Sequence, residues 1–174
     1  LLNCDRATMW LRGDFHSADV PGEVSLYSYV QPFPALEGAP LVRLELPMRE
    51  GSILGTCVLH ERVLNISDAH DDARFDTSFD KSTGYRTRSM LSVPIHNKKT
   101  GNTLGALQCL NKEDDEGAVA GVVFADEDET LIKAFAAVLA VALEQMEHRE
   151  HASSAVEMVV RSAAKASGSA QRGQ

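Results

Sequence analysis

The sequence predicts an α+β domain: a central antiparallel sheet of five or six strands, helices on both sides, and a long helix near the C-terminal end. Three observations predict it. Short apolar runs at strand spacing alternate with short helical ones before residue 90. Met90 to His96 and Thr103 to Leu110 are strong strand runs joined by the polar turn Asn97 to Asn102, as in a hairpin. From Asp126 the apolar period becomes helical and stays so to about Ser162.

Taken in order, Ala7 to Arg12 is a compact apolar run suited to a buried strand. Val24 to Gln31 carries Val, Leu, two Tyr and Val at strand spacing, and Leu41 to Leu46 alternates cleanly. Between them, Pro32, Pro34, Gly38 and Pro40 forbid regular ladder pairing. Gly51 to Arg62 reads as an amphipathic helix, with Ile53, Leu54, Cys57 and Val58 on one face. Val63 to Ile66 is a brief strand. Phe75 to Ser82 is a short helix that Gly84 ends. On the last helix, Leu131, Phe135, Val138 and Ala142, overlapped by Phe135, Leu139, Ala142 and Met146, give two apolar stripes expected to face the core.

The bulk numbers fit one module. With 174 residues and 44% hydrophobic content the chain can bury one good core, and its formal charge of −8 disfavours nucleic acid and anionic lipid as partners. No apolar run reaches membrane-spanning length and no signal pattern opens the chain, so a cytoplasmic domain without membrane insertion is expected. The opening Leu1-Leu2-Asn3-Cys4 reads as the interior of a larger protein. Cys4, Cys57 and Cys109 have no recognisable spacing and read as reduced thiols. The expected organisation is a domain over 1–150, an extension of its last helix over 151–165, and a Gly- and Ser-rich disordered tail or remnant over 166–174.

Chemistry concentrates between Leu64 and Asn111, where turn formers, hydroxyls and carboxylates crowd between two apolar runs. That composition suits a short helix and loop laid over a small-molecule pocket. The run Ser82-Thr83-Gly84-Tyr85-Arg86-Thr87 precedes the Pro94 strand, and Asn111-Lys112, Phe124 and Asp128-Glu129 follow as a spaced set. Together these residues resemble the cyclic-nucleotide-binding GAF domains of phosphodiesterases and certain adenylyl cyclases, over roughly Cys4 to Met146. The spacer Glu113 to Val123 is longer and more acidic than the family's usual one.

The resemblance implies a regulatory domain, not itself an enzyme, that binds a cyclic nucleotide and controls a covalently linked signalling enzyme, a cyclic-nucleotide phosphodiesterase. No cofactor, metal or catalytic residue is expected. Lys112 ends a strand and Asp128 starts a helix, so an ion pair between them would tie helix to sheet; the resemblance implies that Asn111, Lys112, Phe124, Asp128 and Glu129 brace the pocket without touching ligand. The plain structural reading is that Asp128 and Glu129 complement the helix dipole and Phe124 is core. Backbone N–H groups near Ile53 and Asp76 would contact phosphate and sugar, with Asp80, Thr83 and Thr87 close by. Arg74, Arg86 and Arg88 read instead as surface or loop-anchoring residues.

Base choice turns on Gln108, which shares a strand face with Ala106 and Leu110. An amide pairs at once with the donor and acceptor of adenine's edge, whereas guanine's two N–H donors match a carboxylate better. Some similar guanine-binding domains carry Glu at this place, so cyclic AMP is expected over cyclic GMP. Thr8, Val30 and Gln31 would line the remaining base edge. The alternatives are a cyclic-GMP-specific domain and a GAF domain that binds nothing and only dimerises. Enzyme readings are weaker: Cys57, Cys109 and His60 form no cluster, no Cys-His dipeptide suits a bilin, and His148 with His151 makes a poor metal site. A thin apolar stripe, Val156, Val159 and Val160, points to a homodimer through the C-terminal helix.

Overall fold

A computed structural model describes residues 2–13, 24–30, 40–119 and 121–146. The strands are β1 (Cys4–Arg12), β2 (Ser25–Val30), β3 (Val42–Pro47), β4 (Leu64–Ile66), β5 (Met90–His96) and β6 (Thr103–Lys112). They form one six-stranded sheet in the order β3-β2-β1-β6-β5-β4, with every pairing antiparallel. The fold is the α+β class that the strand and helix pattern predicts. Two strands outrun their apolar pattern: β1 begins at Cys4 and β6 ends at Lys112, because those two residues pair across the ladder. Backbone pairing in the sheet centre holds polar residues that spacing alone leaves out.

Helix α1 (Ile53–Leu59) lies inside the expected Gly51 to Arg62. Ser52 caps it, its Oγ accepting from Gly55 N at 3.0 Å, an interaction that typically stabilises a helix by ~1 kcal/mol. Helix α2 (Ser78–Thr83) starts later than Phe75, because the Asp76 carboxylate accepts from Ser78 N at 2.9 Å and holds a turn there. It ends where expected: Gly84 takes φ 71°, and its N–H donates to Asp80 O. A 3-10 turn over Ala69–Asp71, which no apolar period announces, caps itself through Asp68.

Alternation along β5 and β6 divides the core. Leu91, Val93, Leu107 and Cys109 face one side with Phe124 and helix α3, residues 126–146. Trp10, Leu26 and Ala106 face the other, against Leu54, Cys57 and Val58 of α1. Side chains of α3 correct the expected stripes. Ile132, Ala136, Ala140 and Leu143 are buried on the sheet, whereas Phe135, Val138 and Met146 are exposed. Three-four spacing fits either face here because the helix is apolar around most of its circumference. Alanine on the inner face lets the helix approach the sheet closely. Among the described residues no helix is long and apolar enough to cross a membrane. Gln31, His148, His151 and the stripe Val156, Val159 and Val160 lie outside the described residues, as do residues 151–165 and 166–174.

Candidate functional site

On the α1 side, β1, β2, β3 and β6 curve under α1 and α2 to enclose a cavity of ≈ 1090 Å³. Its walls include Thr8, Val30, Ile53, Asp76, Asp80, Thr87 and Gln108, which are far apart in sequence. Such a volume lies at the upper end for small-molecule sites, and the wall is mostly apolar with a few convergent polar groups.

The lid is tied down by one carboxylate. Asp80, 6% exposed, accepts from Thr87 N at 2.8 Å and from Thr87 Oγ1 at 2.9 Å. Its other contact is His70 Nε2, 3.0 Å away. Three lid segments therefore meet on Asp80: the 3-10 turn, α2 and the stretch leading into β5. Hydrogen bonds to a buried carboxylate are individually strong, about 1.5–3 kcal/mol each. Asn111 holds the same stretch from the sheet side. It adopts φ 56°, its Oδ1 accepts from Arg88 N at 2.7 Å, and its Nδ2 donates to Tyr85 Oη and Arg86 O. Tyr85 also donates to Asp5 and lies under the Arg6 guanidinium. Burial, reinforced by Asp5, pushes its phenol well above the usual range.

At the cavity floor Gln108 sits opposite Thr8 on β1 and Ser92 on β5. It is buried, and among the described residues its Nε2 contacts Met90 Sδ, a weak acceptor, at 3.3 Å and Ser92 Oγ at a long 3.4 Å. At the end of β6, Lys112 Nζ reaches Asp128 Oδ1 at 2.8 Å and Leu2 O at 3.3 Å. Asp128 Oδ2 accepts from Ala125 N and so caps α3. Phe124 is core, and its carbonyl accepts from Asn65 Nδ2. Glu129 pairs with Lys133 one turn along the helix.

A GAF domain family model matches residues 1–143. The chain belongs to the GAF domain family. Over 100 residues it is 33% identical to the dual 3',5'-cyclic-AMP and -GMP phosphodiesterase 11A of Takifugu rubripes, a match covering 58% of this chain and 10% of that protein. Among solved structures it is similar to the GAF domain of a phosphoenolpyruvate-protein phosphotransferase from Coxiella burnetii, with TM-score 0.62 and 19% identity over 85% of this chain and 76% of that one. The GAF domain of a two-component sensor histidine kinase from Bacillus halodurans gives TM-score 0.55 and 16% identity over 86% and 88% of the two chains. At these identities the structures speak for the fold alone.

Within this GAF domain the candidate residues divide by position. Thr83 is not in the cavity wall; its hydroxyl donates to Phe79 O at 2.8 Å and accepts from Tyr85 N at 3.2 Å, closing the end of α2. Asp76 lies at the rim with its carboxyl held below the usual range by the Ser78 backbone N–H. Arg74 also lines the cavity, and its guanidinium forks onto Asp72 at 2.9 and 2.6 Å. Arg88 joins the lid anchorage through its backbone N–H. At each helix start one backbone N–H is already satisfied: Ser52 Oγ accepts from Gly55 N, and the Asp76 carboxylate accepts from Ser78 N. Cys57 is buried, which pushes its thiol to about 12, a protonated and unreactive state near neutrality. A hydrogen bond with the Cys4 thiol, reinforced by burial, pushes Cys109 up as well. Sequence reading missed His70 and Tyr85 as lid anchors, since single polar residues in a loop carry no period. It also missed Trp10, which alternation from Thr8 places on the cavity face.

Proposed function

We propose that this GAF domain binds a cyclic nucleotide, cyclic AMP in preference to cyclic GMP, and regulates a covalently linked enzyme, a cytoplasmic cyclic-nucleotide phosphodiesterase. The observation that carries the reading is Gln108: a buried neutral amide with weak partners on the floor of a mostly apolar cavity. An amide offering both a donor and an acceptor suits the adenine edge. Thr87 and Asp80 stand beneath the lid within the same wall, and Thr8 stands across from Gln108. The phosphodiesterase relative supports the class of ligand and of attached enzyme. Phosphate and sugar would lie toward Ile53 and Asp76, which line the cavity, and away from Thr83, which does not. The brace of Lys112 on Asp128 ties the end of β6, whose Gln108 and Leu110 line the cavity, to α3, and lid closure would reach an attached domain by that route.

The outward apolar face of α3, with Phe135, Val138 and Val141, supports a homodimer through this helix. Calorimetric titration with cyclic AMP tests the reading. A ligand of about twenty-two heavy atoms at ~0.3 kcal/mol per atom gives roughly −7 kcal/mol, so micromolar or tighter binding is expected. No heat up to millimolar nucleotide would contradict it. The domain alone should hydrolyse neither cyclic nucleotide above a protein-free control.

A further inference from the structure

Trp10 is the single tryptophan of the chain. It stands on β1 opposite Ala106, one row along from Thr8 and Gln108 on the same sheet face. It lines the cavity, yet its side chain is packed among Leu26, Leu54, Cys57 and Val58 and is only 6% exposed. An indole N–H can only donate, and buried indoles ordinarily find an acceptor. Trp10 Nε1 is buried and has no acceptor among the described residues. A buried donor without a partner beside a ligand-sized cavity is the kind of group a ligand completes.

We propose that the Trp10 Nε1–H is a base-recognising donor of this cavity, taking an uncharged ring acceptor of the ligand, a purine nitrogen or carbonyl oxygen. The inference rests on the cyclic-nucleotide reading and deepens it. The indole's neighbours are apolar, so an anionic phosphate placed there would be desolvated without a counter-charge, whereas a neutral ring acceptor suits them. Of the arginines in the wall, Arg74 is engaged on Asp72, Arg6 lies against the Tyr85 ring, and Arg49 stands in the field of Asp76 at the rim. Because Nε1 is buried while other atoms of Trp10 line the cavity, engagement requires the indole to tilt as ligand enters. The ring acceptor would then be read by Trp10 and the Watson–Crick edge by Gln108, one strand row apart.

A single tryptophan gives a single indole N–H resonance in a proton–nitrogen correlation spectrum. Titration with cyclic AMP should move that resonance downfield and slow its exchange with water. Trp10→Phe keeps an aromatic ring and removes the donor. It should bind cyclic AMP roughly five- to tenfold more weakly by calorimetry while remaining folded by circular dichroism. Calorimetric binding with an unmoved indole resonance, or with wild-type affinity in folded Trp10→Phe, overturns the inference and leaves the cyclic-nucleotide reading standing. If Trp10→Phe does not fold, the wild-type resonance decides alone. Absence of binding by the wild-type protein overturns the reading and this inference together.

Discussion

Lys112 and Asp128 form an ion pair at 2.8 Å that fastens the end of β6 to the first turn of α3, with both side chains largely buried. The two ends are not equivalent. Asp128 also caps α3 through Ala125 N, while Lys112 reaches back to Leu2 O beside β1. Removing the lysine strands a mostly buried carboxylate. Lys112→Ala should cost about 2 kcal/mol, lowering the melting temperature by roughly 4–8 °C. It should weaken nucleotide binding through loss of closure. Thermal melts followed by circular dichroism, paired with calorimetry, check both.

The lid depends on Asp80. Asp80→Ala leaves the Thr87 N–H buried without its acceptor and should destabilise the lid by about 2–3 kcal/mol. Hydrogen exchange over residues 69–72 and 85–89 should accelerate, with the sheet unchanged. Thr87→Val removes only the hydroxyl, one of the bonds to the Asp80 carboxylate, and should cost about 1.5–2 kcal/mol. Uniform acceleration across the whole domain in Asp80→Ala would show that Asp80 supports the core and not the lid.

Acid should act on the lid through Asp72. The Arg74 guanidinium holds this carboxyl below the usual range. A carboxylate whose folded pKa lies beneath its unfolded value near ~3.9 contributes its full stability above that value. The contribution is lost as pH falls through the folded pKa. Asp72→Asn should therefore lie below the wild type in melting temperature at neutral pH, with the gap closing only in strongly acid solution. A gap that persists at the acid end would contradict the assignment.

The outer face of α3 gives a further expectation. Val138 is 67% exposed between Phe135 and Val141. Val138→Asp should leave the melting curve of the fold intact and convert a dimer to a monomer in sedimentation velocity. A wild-type monomer at high concentration would remove the dimer proposal.

Legibility in the sequence followed physical cause. The β5–β6 hairpin was plain because two alternating apolar runs flank a polar turn. Gly84 marked the end of α2, since few other residues accept φ 71° at a helix end. The positions of Lys112 and Asp128, at a strand end and a helix start, made an ion pair between them a natural expectation. The inward face of α3 departs from the expected stripes because two of its four buried apolar residues, Ala136 and Ala140, are alanines that spacing does not distinguish from those on the outer face. The link from His70 to Asp80 was invisible, since the 3-10 turn that aims the imidazole is set by Asp68 and by Ala69 N donating to Arg88 O. Trp10 was passed over as ordinary core. Only its unpartnered N–H separates it from the hydrophobic residues around it.

The central claim is that Gln108 reads an adenine edge, and a side-by-side calorimetric titration of cyclic AMP and cyclic GMP against the wild type and Gln108→Glu tests it most directly. The account predicts that wild type favours cyclic AMP. It predicts that the carboxylate, which can accept from both guanine N–H donors, moves the preference toward cyclic GMP by about tenfold or more. A wild type that already favours cyclic GMP, or a preference that Gln108→Glu leaves unmoved, would contradict it.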